Sequence, residues 1–252
     1  MRILGIIPAR YASTRFPGKP LIDIKGKTMI QLVYEQALQS TKLDEVVVAT
    51  DDERILLHVR AFGGRAILTS PDHQSGTDRC AEVAEKLPGF DVLINIQGDE
   101  PFIDPLQIDM LCTCFESEGT ELATLVKKIN TAEELHNPNS PKVILNSSSE
   151  AIYFSRTAIP YLRNIELPNW ISSHTFYKHI GIYGYRIDAL KAITKLQVSS
   201  LEKAEALEQL RWIENGYKIK VAITDIENQA IDTPDDLKKI LSSYRNPGQS
   251  IK

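Results

Sequence analysis

Cysteine is scarce in this 252-residue chain. Its three thiols, Cys80, Cys112 and Cys114, are too few and too unevenly placed for a disulfide framework. Cys112 and Cys114 also lie too close together for the two-residue gap of a usual zinc site, so buried, reduced thiols are expected. Long apolar runs are missing as well: nothing approaches the roughly 20 residues that a membrane-spanning helix needs. The opening Met1 to Ile7 is too short for a secretory signal and breaks at Pro8, so a soluble, cytoplasmic enzyme is expected. Nor is positive charge in excess. A formal net charge of -4 argues against a nucleic-acid partner, which favours a basic face. Two glycine-rich phosphate signatures are absent. No G-x-G-x-x-G follows the first apolar run, and Gly26-Lys27-Thr28 has Leu21 where a P-loop places its first glycine. Lys25-Gly26-Lys27 is therefore read as a turn.

Strand and helix patterns alternate through the first half. Ile3 to Ile7, Glu45 to Thr50, Ala66 to Leu68 and Val92 to Ile96 read as strands; the middle two flank a helical pattern through Ile55, Leu56, Val59 and Phe62. Met29 to Leu38, Thr77 to Leu87 and Asp104 to Phe115 also read as helices. This alternation predicts an α/β protein with a mainly parallel sheet and right-handed crossovers. From Leu122 the pattern becomes strand-rich and irregular, which predicts a subdomain inserted at about 120–186 into a single domain spanning 1–252. The α/β style returns with one helix from about Leu201 to Asn215, a strand from Lys218 to Ile223, and a helix opened by Thr233-Pro234.

Charge is uneven along this acidic chain. Residues 1–30 hold Arg2, Arg10, Arg15, Lys19, Lys25 and Lys27 against Asp23 alone, which favours a small anionic ligand over a polyanion. Three of these cations fall in the run from Pro8 to Pro20, interleaved with Ala12, Ser13, Thr14 and Gly18. Small residues leave backbone N–H groups accessible, arginine offers bidentate contacts and lysine a point charge, so this loop suits a triphosphate. In a parallel sheet, ligands bind at the carboxyl ends of the strands, where the loop begins. Asp99 follows the strand Val92 to Ile96 in the turn Gln97-Gly98-Asp99-Glu100-Pro101, a position suited to Mg²⁺ or to capping the next helix. Asp232, just before Thr233-Pro234, suits a metal or the helix dipole equally.

Seven segments run in order along the chain: IPARYASTRFPGKPL from Ile7, DHQSGTDR (72–79), NIQGDEP (95–101), YFSR (153–156), HIGIYGYR (179–186), LEQLR (207–211) and IDTPDDL (231–237). In this set, order and spacing the chain resembles the 3-deoxy-manno-octulosonate cytidylyltransferase family, the CMP-Kdo synthetases of lipopolysaccharide assembly. The resemblance implies a Rossmann-like nucleotidyltransferase fold, a homodimer built through the inserted subdomain, and the substrates CTP and Kdo with Mg²⁺ as cofactor. It places Arg10, Ser13, Arg15 and Lys19 on the triphosphate, and Ser75, Gly76 and Gln97 on the nucleotide. Asp99 and Asp232 fall on the metal, with Lys19, Arg10, Asp99 and Asp232 forming the catalytic set. Arg156, His179, Tyr185, Glu208 and Gln209 fall on the sugar acid. Taken alone, His179 reads as a structural histidine, Arg156 as a surface cation, and Glu208 with Gln209 as a solvated helix face. Asp78 stands where the family pattern has Glu, and Ala230-Ile231 where it has Gly-Val. Two rival readings stay open: the same chemistry on another acid sugar, such as 8-amino-Kdo, and a non-catalytic CTP-binding module.

Overall fold

The computed structural model describes residues 1–12 and 16–243. Strand β1 (Ile3–Ala9) is followed by a hairpin of β2 (Asp23–Ile24) and β3 (Lys27–Thr28). Lys25 and Gly26 both have positive φ, 56° and 94°, the geometry of a two-residue hairpin turn, so Gly26-Lys27-Thr28 is no phosphate loop. Next come α1 (Met29–Ala37), β4 (Glu45–Thr50), α2 (Glu53–Ala61), β5 (Ala66–Leu68), α3 (Gly76–Lys86), β6 (Val92–Asn95) and α4 (Pro105–Thr113). The second half holds β7 (Leu122–Lys128), α5 (Ala132–His136), β8 (Lys142–Leu145), β9 (Ala151–Ser155), α6 (Trp170–Ser173) and β10 (Tyr177–Arg186). It closes with α7 (Ile187–Ile193), α8 (Ser200–Glu205), α9 (Gln209–Glu214), β11 (Ile219–Thr224) and α10 (Pro234–Ser243).

Apart from the β2–β3 hairpin, the strands form one sheet in the order β11-β7-β10-β6-β1-β4-β5, with β8 paired to β10 and β9 to β8. Pairs β1/β4, β1/β6, β4/β5 and β7/β11 are parallel, as crossover helices require. In the middle, β10 runs antiparallel to both β6 and β7. Side chains of β1 alternate between two cores. Ile3, Ile7 and Ala9 join Ile30, Val33, Ile55, Val59, Ile108 and Leu111 of α1, α2 and α4 on one face. Leu4 and Ile6 join Cys80, Val83, Leu190, Ile193, Leu210 and Trp212 of α3, α7 and α9 on the other. The fold class read from the sequence is the one observed, with helices on both faces of a mostly parallel sheet. All three cysteines are free. Among the described residues no helix is long and apolar enough to cross a membrane.

Within 120–186, β7 and β10 are strands of the main sheet, and the segment between them joins it through β8, which pairs with β10. That segment has its own small core of Ile129, Leu135, Trp170 and Phe176. The single helix expected from Leu201 to Asn215 is two, broken at Ala206, which has a left-handed φ of 50°. The cause lies in β9. The Glu205 carboxylate accepts from Ser155 Oγ at 2.6 Å and from Arg156 N at 2.9 Å. The carbonyls of Glu205 and Ala206 accept from the Arg156 guanidinium at 2.6 and 3.1 Å, so they do not serve a continuing helix. The capping box expected at Ser199 and Glu202 does start α8. At the C-terminal end, Ile231 and Ile240 pack with Ile24 and Met29, so α10 folds back over the β2–β3 hairpin and carries Asp232 toward the loop after β1.

Candidate active site

Lys19 opens a single 3₁₀ turn, Lys19–Leu21, at the end of the basic loop. Its Nζ donates to Asp99 Oδ2 at 2.7 Å and to Asp232 Oδ1 at 3.2 Å. Three chain segments thus meet at one ammonium, beside the carboxyl ends of β1 and β6. The Asp232 carboxylate is not the cap of α10: Thr233 Oγ1 accepts from Asp236 N at 3.2 Å, and Asp236 Oδ2 accepts from Thr233 N at 2.9 Å. Gly98 permits the turn that delivers Asp99. A Cβ at residue 98 would lie 2.6 Å from the Pro8 carbonyl oxygen, so the two loops can touch only without a side chain there.

The donor set fits a magnesium ion. Two carboxylate oxygens on separate loops already converge on one cation, the Lys19 ammonium. Among the described residues no group of three or more His, Cys, Asp or Glu forms a protein-only cage. One or two carboxylates, completed by phosphates and water, are what Mg²⁺ takes.

The nucleotide segment sits across the strand ends. Arg10 Nη2 donates to the His73 carbonyl, tying the basic loop to 72–79. His73 in turn meets Glu82, whose carboxyl would be raised by burial but is held at about 2 by Lys86, the Ser70 N–H and His73. Ser75 caps α3, and Asp78 closes a capping box with it: Ser75 N and Oγ donate to Asp78 Oδ2 at 3.1 and 2.9 Å. Asp78, where the family pattern has Glu, is long enough to close the box. At Gly76 an added Cβ would lie 3.5 Å from Pro8 Cγ and 3.6 Å from Asn95 Nδ2. The positive end of α3 thus lies over the ends of β1 and β6, where a helix N-terminus favours an anion. Gln97 Nε2 donates to the Gly181 carbonyl at 2.6 Å, where β10 slips register against β7. Ser13 and Arg15 lie outside the described residues.

Glu208 and Gln209, at the start of α9, lie near Tyr185. Glu208 Oε2 accepts from Thr77 Oγ1 at 2.9 Å, beneath the start of α3. Tyr185 packs its ring 5.8 Å from Trp212, edge to face, and Gln209 is 4% exposed, so the solvated-face reading of α9 fails at this end. Three buried polar atoms in this region have no hydrogen-bond partner, Tyr183 OH, Gln209 Nε2 and Trp212 Nε1, and the buried Tyr185 hydroxyl has the Thr77 and Asn95 side chains beside it. Each such group costs about 1–3 kcal/mol, so a cluster of them marks a place built for a polar ligand rather than for stability. His179 packs against Phe154 and Tyr183 and meets Thr124 Oγ1 at 3.0 Å. Burial lowers its imidazole to about 3, so the ring is neutral. Arg156 stands apart from this cluster. Its Nε, Nη1 and Nη2 donate to the carbonyls of Glu205, Pro138 and Ala206, which makes it a brace for the segment that presents Glu208.

Several contributors escape the sequence reading. Thr77 and Asn95 lie inside recognised segments but give no signal of their own. Arg79 is fully buried, with Nη2 donating to Asp51 Oδ2 at 3.1 Å. Glu100 is buried beside Asp99; burial first, and then the Asp99 charge, raise its carboxyl to about 7.

Burial also raises the Glu208 carboxyl, against the donors Thr77 and Ser75. A folded-state pKa above the unfolded value means that the native protein binds the extra proton, so this group's contribution to stability is present at low pH and is lost as pH rises through its folded pKa. Glu208→Gln is therefore expected to raise Tm at pH 7.5, with the gain shrinking toward pH 4, while product formation falls. Melting curves at the two pH values check the sign, and a variant that melts lower at pH 7.5 contradicts it.

A basic loop leaving the first strand, two carboxylates joined at a cation and a helix N-terminus over the strand ends together define a nucleotidyltransferase. Residues 4–220 match the cytidylyltransferase family. The chain is 60% identical to the 3-deoxy-manno-octulosonate cytidylyltransferase of Bacteroides thetaiotaomicron, over 98% of this chain and 99% of that one. It is 58% identical to the protein of the same name from Parabacteroides distasonis, again over 98% and 99%. A solved structure of CMP:2-keto-3-deoxy-manno-octonic acid synthetase complexed with CTP superposes with a TM-score of 0.90 at 44% identity, covering 96% of this chain and 98% of that one. The chain belongs to the 3-deoxy-manno-octulosonate cytidylyltransferase family.

Proposed function

We propose that the protein activates Kdo for lipopolysaccharide assembly: CTP and 3-deoxy-D-manno-octulosonate give CMP-Kdo and pyrophosphate. The observation that carries this reading, in a chain of this family, is the convergence of Lys19, Asp99 and Asp232 at the strand ends. In the proposed site Arg10, Ser13, Arg15 and Lys19 hold the triphosphate, and Ser75, Gly76 and Gln97 meet the nucleotide. Tyr185, Glu208 and Gln209 hydrogen-bond the sugar. His179, being neutral, contributes shape and a hydrogen bond rather than charge, and Arg156 supports the sugar side through the Ala206 joint.

The anomeric hydroxyl oxygen forms a bond to the α-phosphorus, and its proton passes to water. The bond from the α-phosphorus to the β-phosphate oxygen breaks, and pyrophosphate leaves with that electron pair. Such transfer needs positioning and charge neutralisation, with no covalent enzyme intermediate. Asp99 and Asp232 would hold Mg²⁺, which when bound would supply neutralising charge at the phosphates. Lys19 and Arg10 stabilise the charge that grows on the leaving pyrophosphate, and the orphaned polar groups around Tyr185 orient the sugar. The segment between β7 and β10 is the proposed sugar-binding and dimerisation region of a homodimer, working in the cytoplasm.

One assay panel tests the reading. The purified protein with Mg²⁺ is offered each nucleoside triphosphate with Kdo, 8-amino-Kdo or sialic acid, and pyrophosphate is measured. Release with CTP and Kdo is expected. Release only with another acid sugar overturns the substrate, and release with none overturns the transfer reaction.

A further inference from the structure

Asp99 and Asp232 must keep a fixed separation, although they sit on loops that meet only through tertiary contacts. Two direct bonds join those loops beside the carboxylates. Asn228 Nδ2 donates to Glu100 Oε2 at 2.8 Å, and Ile231 N donates to the Asp99 carbonyl at 2.9 Å. The Glu100 side chain is buried, and the Asn228 amide oxygen is buried with no hydrogen-bond partner. An asparagine kept there at the cost of an unsatisfied oxygen serves the one bond that its nitrogen makes. The same loop is anchored on its far side. Glu227 pairs with Lys127 and with Lys178, each at 2.6 Å, and Gln107 Nε2 donates to the Ile226 carbonyl at 3.3 Å.

We infer that Glu100 and Asn228 form a clamp that sets the spacing of the Asp99 and Asp232 carboxylates, as positioning residues for the metal site. The inference rests on the proposed reading of those two carboxylates as Mg²⁺ ligands. Its physical need arises when CTP enters. Lys19 then turns toward the triphosphate, and two like-charged carboxylates face each other without the ammonium that now separates them. A clamp that touches neither carboxylate holds the two loops together at that moment without competing for the metal. Residues that orient metal ligands from behind typically change metal affinity by roughly 10- to 100-fold when removed.

The test is CTP binding to the full chain by titration calorimetry, in EDTA and across a range of Mg²⁺ concentrations. Asn228→Ala is expected to raise the Mg²⁺ concentration that half-saturates the CTP response by about tenfold, with CTP affinity in EDTA unchanged. Glu100→Met removes the acceptor while filling its space and is expected to do the same. Glu100→Gln keeps an accepting oxygen and is expected to retain the native Mg²⁺ dependence. The double variant Asn228→Ala/Glu100→Met is expected to be no worse than either single one, because both break the same bond. Equal losses of affinity in EDTA and in Mg²⁺ make the pair merely structural and overturn the clamp. So does an unchanged Mg²⁺ dependence in both Asn228→Ala and Glu100→Met. If the native protein itself binds CTP independently of Mg²⁺, the metal reading fails first and the clamp with it.

Discussion

Lys19→Ala is expected to lose roughly 100- to 1000-fold in kcat, and Asp99→Ala at least as much, because each removes a preorganised charge from the site of phosphoryl chemistry. The two variants should fail differently. Without its ammonium, Lys19→Ala leaves the Asp99 and Asp232 carboxylates facing one another with a bridging cation removed. The free protein should then melt lower, and added Mg²⁺ should restore more of the lost Tm than it adds to the native protein, since the Lys19 ammonium no longer competes for the carboxylates. Asp99→Ala removes a proposed metal ligand and should show the reverse, a weakened response to Mg²⁺. Steady-state pyrophosphate release with melting curves in EDTA and Mg²⁺ separates these outcomes. Near-native turnover of either purified, folded variant removes its assigned role.

Gly98→Ala adds one methyl group and is expected to reach the same centre through the backbone. The added Cβ would stand 2.6 Å from the Pro8 carbonyl oxygen, a main-chain atom that cannot rotate away. One of the two loops must move. Overpacking of this kind costs about 1–3 kcal/mol. At roughly 2–4 °C per kcal/mol for a chain of this size, a loss of several degrees in Tm follows. Turnover should fall further than stability implies, because Asp99 is the next residue and a misplacement of about 1 Å can cost on the order of 100-fold. A Gly98→Ala protein with native kcat would show that Asp99 tolerates the displacement.

The fold was legible wherever local pattern decides structure. Apolar periodicity placed β1, β4, β5 and β6 within a residue or two, and Thr233-Pro234 marked the start of α10. What escaped was set by distant partners. The break at Ala206 depends on Ser155 and Arg156, about fifty positions earlier, and the run Leu201 to Asn215 carries no breaker of its own. Strand direction is likewise silent in HIGIYGYR, which alternates equally well in a parallel or an antiparallel register. The site divides the same way. Cations after β1 and a carboxylate after β6 were readable as a pair of signals. Asp232 suited a metal and the helix dipole equally, and the cap that Thr233 and Asp236 make for α10 was not readable from it. Arg156 read as a partner for a sugar carboxylate, yet three of its N–H groups are committed to carbonyls. No local pattern announces such a brace, because carbonyl acceptors are present at every residue.

The antiparallel strand in the middle of the sheet has a consequence for how the chain assembles. β6 and β7 never pair with each other; each pairs with β10. As the polypeptide emerges in order, β6 and β7 are both made before their shared neighbour and wait with open edges. The sheet's midline therefore cannot zip until the whole segment between β7 and β10 has been synthesised, and the β7/β11 edge waits longer still. Contacts of such long sequence separation are slow to form, and open strand edges invite wrong partners in the interval. The two halves of the sheet are thus joined late, through β10, and neither can be completed without it.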